Sequence, residues 1–218
     1  MEFAKKSKYN IGDLLNIVGI LRSDEGCPWD REQNHKSIRN NFIEETYEAI
    51  EAIDLNDIDL LKEELGDVLL QVVFHSQIEK EENHFEFNDV VDGLCKKLIE
   101  RHPHVFSGQK AKNSEEAFEK WNKAKMQIKG QKNQSEVMES VSKALPALMR
   151  SFKIQKKVPK ENLNFNDVNK AVEITDKNIC NLKESMKDKL SNTYKEKIGE
   201  ILFSVVNISR CLEVNPEE

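Results

Sequence analysis

The chain has 218 residues, of which 38% are hydrophobic and 33% charged, and its formal net charge is −6. This composition excludes a disordered chain, and 8 glycines and 5 prolines are too few for a turn-rich β-sandwich. Residues 1–110 carry 13 Lys and Arg against 23 Asp and Glu, whereas the remainder carries 20 against 16, an asymmetry that suggests different roles for the two halves.

Apolar residues recur every three or four positions, and no segment of useful length alternates as a strand would. The spacing predicts an all-α fold with these helices: 11–22, 37–54, 58–82, 90–101, 114–129, 168–190 and 194–212. Asn88 and Asp89 are expected to cap the helix that begins at residue 90, and Ser114 is expected to cap the next one.

Loops are predicted at residues 26–30 and after His102-Pro103, and the polar segment 130–135 is the best linker. We therefore predict two domains, 10–130 and 131–218. Residues 63–78 and 196–211 resemble each other at an offset of 133 residues, which indicates a faint internal repeat.

Two acidic pairs lie on consecutive long helices. Glu45 and Glu48 are three residues apart and share one helix face, as do Glu64 and Asp67 on the next helix. A short turn joins these helices, so they should pack antiparallel and bring the four carboxylates together.

Clustering four carboxylates is costly unless a cation neutralises them. Ligation by oxygen alone favours Mg²⁺, with Mn²⁺ as a possible substitute. A di-iron bundle would require Glu-x-x-His pairs, and neither acidic pair ends in His. The alternative is a solvated acidic face, which we consider less favoured because the spacing occurs twice across one hairpin.

Basic and aromatic residues that suit a phosphate ligand follow along the chain. Lys97 and Arg101 are four residues apart and form one basic face. Trp121 and Lys125 have the same spacing, so the ring can lie beside the cation.

These residues resemble the MazG family of all-α nucleoside triphosphate pyrophosphohydrolases. The similarity covers about residues 11–129, and four strings carry it: GCPWDREQ at 26–33, EETYEA at 44–49, EELGDVLLQVVFH at 63–75 and RHPHVF at 101–106. Trp121 stands where the family has its late Trp. The second half resembles a second MazG repeat, through LPALMR at 145–150 and GEILFSVVN at 199–207.

The second repeat departs from the family pattern. Lys177, Asn178 and Asn181 replace Glu44, Glu45 and Glu48, and Lys197 replaces Glu64. We therefore expect the second half to bind no metal and to lack activity of its own.

The resemblance implies tandem helical bundles, with a four-helix catalytic unit that a homodimer completes. It also implies hydrolysis of nucleoside triphosphates between the α and β phosphates, as a housecleaning reaction on the nucleotide pool. Mg²⁺ would be held by Glu45, Glu48, Glu64 and Asp67, and Glu44 or Glu63 would serve as general base. Lys97, Arg101 and Lys125 would offset phosphate charge, and Trp121 would contact the base or sugar.

Two alternatives remain at this point: a regulatory module that binds nucleotide without turnover, and a structural dimerisation domain. No run of 18 apolar residues is present, so no membrane contact is expected, and an acidic chain without a basic stripe is a poor candidate for nucleic acid. The four cysteines are scattered, which is typical of a reduced cytoplasmic protein.

Overall fold

A computed structural model describes residues 5–159, 163–188 and 191–217, and every regular element in these ranges is helical, as the sequence predicts. None of these helices is long and apolar enough to cross a membrane. The helices are α1 (Ile11–Leu21), α2 (Pro28–Glu32), α3 (Arg39–Leu55), α4 (Ile58–Glu81), α5 (Phe87–Arg101), α6 (Pro103–Phe106), α7 (Ser114–Ile128), α8 (Gln134–Glu139), α9 (Ala147–Gln155), α10 (Leu163–Asn166), α11 (Val168–Lys187) and α12 (Tyr194–Cys211).

The chain forms two compact units, Met1–Gln109 and Lys110–Glu218. This division lies before α7, whereas the domain boundary predicted from the sequence lies after it. The unit boundary describes packing and leaves the assignment of functional domains 10–130 and 131–218 as a prediction.

Helices α3 and α4 pack against each other as an antiparallel hairpin. Asn56 ends α3 in the left-handed conformation with φ of 55°, which Asn tolerates better than most residues. Asp57 then caps α4, because its side chain accepts hydrogen bonds from the amides of Asp59 and Leu60. The connection is therefore as short as the sequence predicts.

The core of the first unit lies between α1, the start of α3 and the C-terminal half of α4. Its buried residues are Val18, Ile38, Val73, Phe74 and Ile78. Phe74 and Ile78 are four residues apart on α4 and therefore share one helix face. This face packs toward α1, and the burial of its side chains stabilises the arrangement.

Arg22 fastens the segment between α1 and α3 to α4. Its guanidinium donates to both carboxylate oxygens of Glu81 and to the carbonyls of Asp30 and Gln33. The chain turns tightly at Gly26. A Cβ at this position would lie only 2.2 Å from the Ile20 carbonyl oxygen, so a side chain does not fit there. The polar segment before α3 is thus fixed in place.

The second unit is built around α9, α11 and α12. Gln155 is fully buried on α9 and donates to the Phe203 carbonyl of α12. Arg210 and Asn207 of α12 both donate to the Phe165 carbonyl before α11. Buried polar contacts therefore hold this unit together alongside the apolar residues Ala171 and Val206.

Several local predictions were wrong. Glu86, not Asn88 or Asp89, is the N-cap of α5, and Asp89 completes a capping box with it. Asn113, not Ser114, caps α7.

Short helices also occur where loops or a linker were predicted, namely α2, α6 and α8. Pro28 and Pro103 begin the first two of these, because proline at the first helical position suits its fixed φ. Asn133 caps α8 inside the predicted linker. α11 ends at Lys187, and the predicted helix end at Leu190 lies outside the described residues.

Candidate metal centre

Three carboxylates converge between α3 and α4. One oxygen each of Glu45, Glu48 and Glu64 lies within 4.8 Å of the other two. Glu45 and Glu64 are half-buried, and Glu48 is exposed. The structure thus brings together three of the four metal ligands expected from the sequence.

The sequence of α3 explains why its two carboxylates face α4. Ala49 and Ala52 are buried, and they follow Glu45 and Glu48 by four residues on the same helix face. Because both alanines are small, this face can approach α4 closely, and the two acids lie at its N-terminal end.

The pKa of Glu45 is raised above its ordinary value. Partial burial is the largest cause, and repulsion from the charges of Asp67, Glu48 and Glu64 adds to it. Asp67 therefore lies within electrostatic reach of the cluster, although it is not one of the three converging groups.

Glu64 has a raised pKa for the same reasons: desolvation first, then repulsion from Glu48, Asp67, Glu63 and Glu51. Glu51 is an acid outside the site residues predicted from the sequence. It follows Glu48 by three residues, so the spacing that identified Glu45 and Glu48 continues one step further along α3.

Glu44 on α3 and Glu63 on α4, the expected general bases, are both exposed. The charge of Glu63 acts on Glu64, and Glu44 directly precedes Glu45. Their catalytic role stays a prediction.

Lys97 and Arg101 lie on α5 in the first unit. Lys97 is exposed and Arg101 is half-buried at the C-terminal end of the helix. Their contact with phosphate also stays a prediction.

The contact expected between Trp121 and Lys125 is present on α7. The Lys125 Nζ lies 4.6 Å from the centroid of the Trp121 ring, a cation–π distance. The Phe118 ring stacks on the Trp121 ring, with 6.3 Å between the ring centroids and an interplanar angle of 9°. This aromatic platform belongs to the second compact unit.

The donor set fits a hard divalent cation. All converging groups are carboxylates, and desolvation together with repulsion from neighbouring carboxylates raises the pKa of Glu45 and Glu64. A cation among them would remove this repulsion, and oxygen-only ligation suits Mg²⁺ or Mn²⁺. The cluster can therefore hold a metal ion.

Comparison with known proteins finds similarity to nucleotide pyrophosphohydrolases. The family model for the MazG nucleotide pyrophosphohydrolase domain matches residues 33–106, which include all the clustered carboxylates. A protein of Thermotoga maritima called nucleoside triphosphate pyrophosphohydrolase/pyrophosphatase MazG is 42% identical over 94% of this chain and 77% of its own length.

Two further relatives extend the comparison. An Escherichia coli protein called nucleoside triphosphate pyrophosphohydrolase is 39% identical over 95% of this chain and 80% of its own length. The uncharacterized protein YabN of Bacillus subtilis is 39% identical over 96% of this chain, but over only 43% of its own length.

Proposed function

The chain belongs to the MazG nucleotide pyrophosphohydrolase family, and from this premise we propose that it hydrolyses nucleoside triphosphates to the monophosphate and pyrophosphate. The convergence of Glu45, Glu48 and Glu64 is the observation that carries the proposal. A degenerate or purely structural helix pair would have no need to hold three carboxylates at such short distances.

The metal is Mg²⁺, held by Glu45, Glu48 and Glu64, with Asp67 as the fourth acid of the site. Magnesium usually keeps part of its coordination shell for water and substrate phosphates. When bound, the cation would polarise the phosphate oxygens and lower the pKa of a coordinated water.

The chain supplies the remaining chemistry. Glu44 or Glu63 accepts the proton of the attacking water, since each directly precedes a proposed metal ligand. Lys97, Arg101 and Lys125 offset the charge of the phosphates. Trp121 contacts the base or sugar. A ring can stack on any nucleobase, so this contact suits a broad substrate range.

The decisive experiment identifies the products. Each nucleoside triphosphate is incubated with the protein and Mg²⁺, and phosphorus NMR follows the reaction. We expect monophosphate and pyrophosphate, and a loss of at least about 100-fold in turnover for Glu45→Gln and Glu64→Gln, since removal of even outer-shell partners costs 10- to 100-fold. Glu82→Gln is the matched control, because Glu82 is exposed at the far end of α4.

Other products would indicate another function. Orthophosphate would contradict cleavage between the α and β phosphates. Tight binding of triphosphate without turnover would instead favour the regulatory nucleotide-binding module.

A homodimer completes the proposed site. The first unit exposes large apolar side chains on α3, α4 and α5 that a monomer would leave in water, with exposed fractions between 38% and 55%. They are Ile43, Ile50, Ile53, Leu65, Leu69, Leu94 and Leu98. A second copy of this chain would cover these side chains.

Light scattering after gel filtration tests the dimer, which should have twice the 25.2 kDa mass of the chain. Leu94→Glu should produce monomers, because it places a charge in the buried interface. Val214→Glu, at an exposed position of the second unit, should leave the dimer intact. A monomeric wild-type protein would contradict this part of the proposal.

We assign catalysis to the domain 10–130 and no metal to the domain 131–218. The positions corresponding to Glu45, Glu48 and Glu64 are occupied there by Asn178, Asn181 and Lys197, which are poor ligands for Mg²⁺.

A further inference from the structure

A second cluster of titratable side chains lies at the other end of the α3–α4 pair. His35 Nδ1 is 2.6 Å from His75 Nδ1, and His35 Nε2 is 2.5 Å from Glu79 Oε1. His84 Nδ1 is 2.8 Å from the other oxygen of Glu79. His35 precedes α3, whereas His75 and Glu79 belong to α4.

These groups form a chain and do not surround a point. His35 uses its two ring nitrogens for two different partners, so His75 and Glu79 lie on opposite sides of its ring. A metal site would require ligand atoms around one centre. The arrangement is therefore a hydrogen-bonded relay from Glu79 through His35 to His75.

The protons of this chain can be counted. The hydrogen bonds from His84 and His35 hold the pKa of Glu79 below its ordinary value, so Glu79 is a carboxylate that accepts from both rings. Burial and the nearby His35 lower the pKa of His75, which favours the neutral form of this ring. His35 then donates through Nε2 to Glu79, and one Nδ1 of the histidine pair donates to the other.

The chain closes the helix pair at the end opposite its turn. Asn56 and Asp57 connect α3 to α4 at one end, and His35 connects the start of α3 to α4 at the other. The His75 ring also packs near Phe42 in the first turn of α3, with 5.8 Å between the ring centroids. The clustered carboxylates lie between these two connections.

This placement matters because the carboxylates repel each other across the two helices. Repulsion from Asp67 and Glu64 of α4 contributes to the raised pKa of Glu45 on α3. Without a cation, this repulsion favours separation of the helices. A connection at each end opposes that separation.

We propose that the Glu79–His35–His75 chain is a positioning device for the carboxylate cluster, fixing the start of α3 against α4 so that Glu45 and Glu48 face Glu64. The inference rests on the proposed function of these carboxylates as metal ligands. The two histidines and Glu79 act through the position of α3 and do not contact the metal or the substrate.

Two substitutions of His75 separate the hydrogen bond from packing. His75→Asn keeps a polar atom close to the position of Nδ1, so it can preserve the bond to His35, whereas His75→Leu fills the space without it. His84→Ala is the matched control, because His84 contacts Glu79 but does not connect α4 to the segment before α3.

Binding of Mn²⁺, followed by electron paramagnetic resonance, and the kcat and KM for nucleotide are measured for the full-length variants. We expect His75→Leu to weaken Mn²⁺ binding about tenfold and to lower kcat similarly, the lower end of the effect of losing an outer-shell partner. His75→Asn and His84→Ala should stay within about twofold of the wild type. If His75→Leu loses helical content, His35→Ala provides the same comparison.

The outcomes are distinguishable. Equal losses for the Leu and Asn variants, or wild-type Mn²⁺ affinity in His75→Leu, would overturn the positioning role while leaving the proposed function intact. A wild-type protein that neither binds Mn²⁺ nor turns over nucleotide would overturn the proposed function, and the positioning role with it.

Discussion

Lys197 forms an ion pair with Glu200, with its Nζ 3.1 Å from Oε2. Both residues lie on α12, at the positions that correspond to Glu64 and Asp67 of α4 in the internal repeat. The second helix pair thus has an ammonium group where the first has a carboxylate. The positive charge of Lys197 offsets the charge of the neighbouring Glu200 within the chain itself.

The first prediction concerns this substitution. Lys197→Ala should leave metal-dependent turnover within about twofold of the wild type, because surface ion pairs contribute at most about 1 kcal/mol. Pyrophosphate release is the measurement, with Glu64→Gln as the inactive reference. A large loss would mean that the second unit contributes to catalysis.

The second prediction follows from the raised pKa values of Glu45 and Glu64. A carboxyl group with a raised pKa binds its proton more tightly in the folded protein than in the unfolded chain. Its deprotonation therefore destabilises the metal-free protein as pH rises through the raised pKa, and protonation restores stability as pH falls. A bound cation would relieve this cost only where the groups are ionised.

Mg²⁺ should therefore raise the Tm more at pH 7.5 than at pH 5, and binding in the acidic range should release protons. Thermal unfolding at both pH values, with and without Mg²⁺, measures the difference. Glu45→Gln should reduce it. Equal stabilisation by Mg²⁺ at both pH values would contradict ligation by these carboxylates.

The sequence predicts the long helices because each carries a continuous apolar stripe, as α4 does through Val68 and Val72. It does not reveal α2 and α6, because helices of five and four residues are too short to show a period. Glu86 was missed as a cap because Glu is not among the preferred capping residues.

The candidate site divides in the same way. Glu45, Glu48 and Glu64 could be found because spacing within a helix decides which residues share a face. The contact between His35 and His75 joins residues 40 positions apart and depends on how the segment before α3 folds back on α4. No local pattern encodes such a contact, so only the structure reveals it.

The third prediction concerns Arg22, whose side chain is 5% exposed. Arg22→Ala should lower the free energy of unfolding by about 2–4 kcal/mol, because Glu81 and the carbonyls of Asp30 and Gln33 lose a charged donor. Urea unfolding followed by circular dichroism measures the change.

Arg31→Ala is the control for Arg22, since the Arg31 side chain is 47% exposed and its carboxylate partner, Asp24, is fully exposed. Its effect should stay within about 0.5 kcal/mol. If Arg22→Ala lowered the free energy of unfolding as little as Arg31→Ala does, the bonds to the Asp30 and Gln33 carbonyls would contribute little to stability.

The last prediction concerns the aromatic platform of α7. If Trp121 stacks on the nucleoside in the ground state and the transition state alike, its removal weakens binding without slowing the chemical step. Trp121→Ala should raise KM for nucleoside triphosphates about tenfold with little change in kcat, since stacking contributes about 1–3 kcal/mol per base. Trp121→Phe should recover most of the loss, and Trp29→Ala, which removes an exposed Trp of α2, should have no effect. A lower kcat at unchanged KM in Trp121→Ala would instead place this ring at the reacting phosphates.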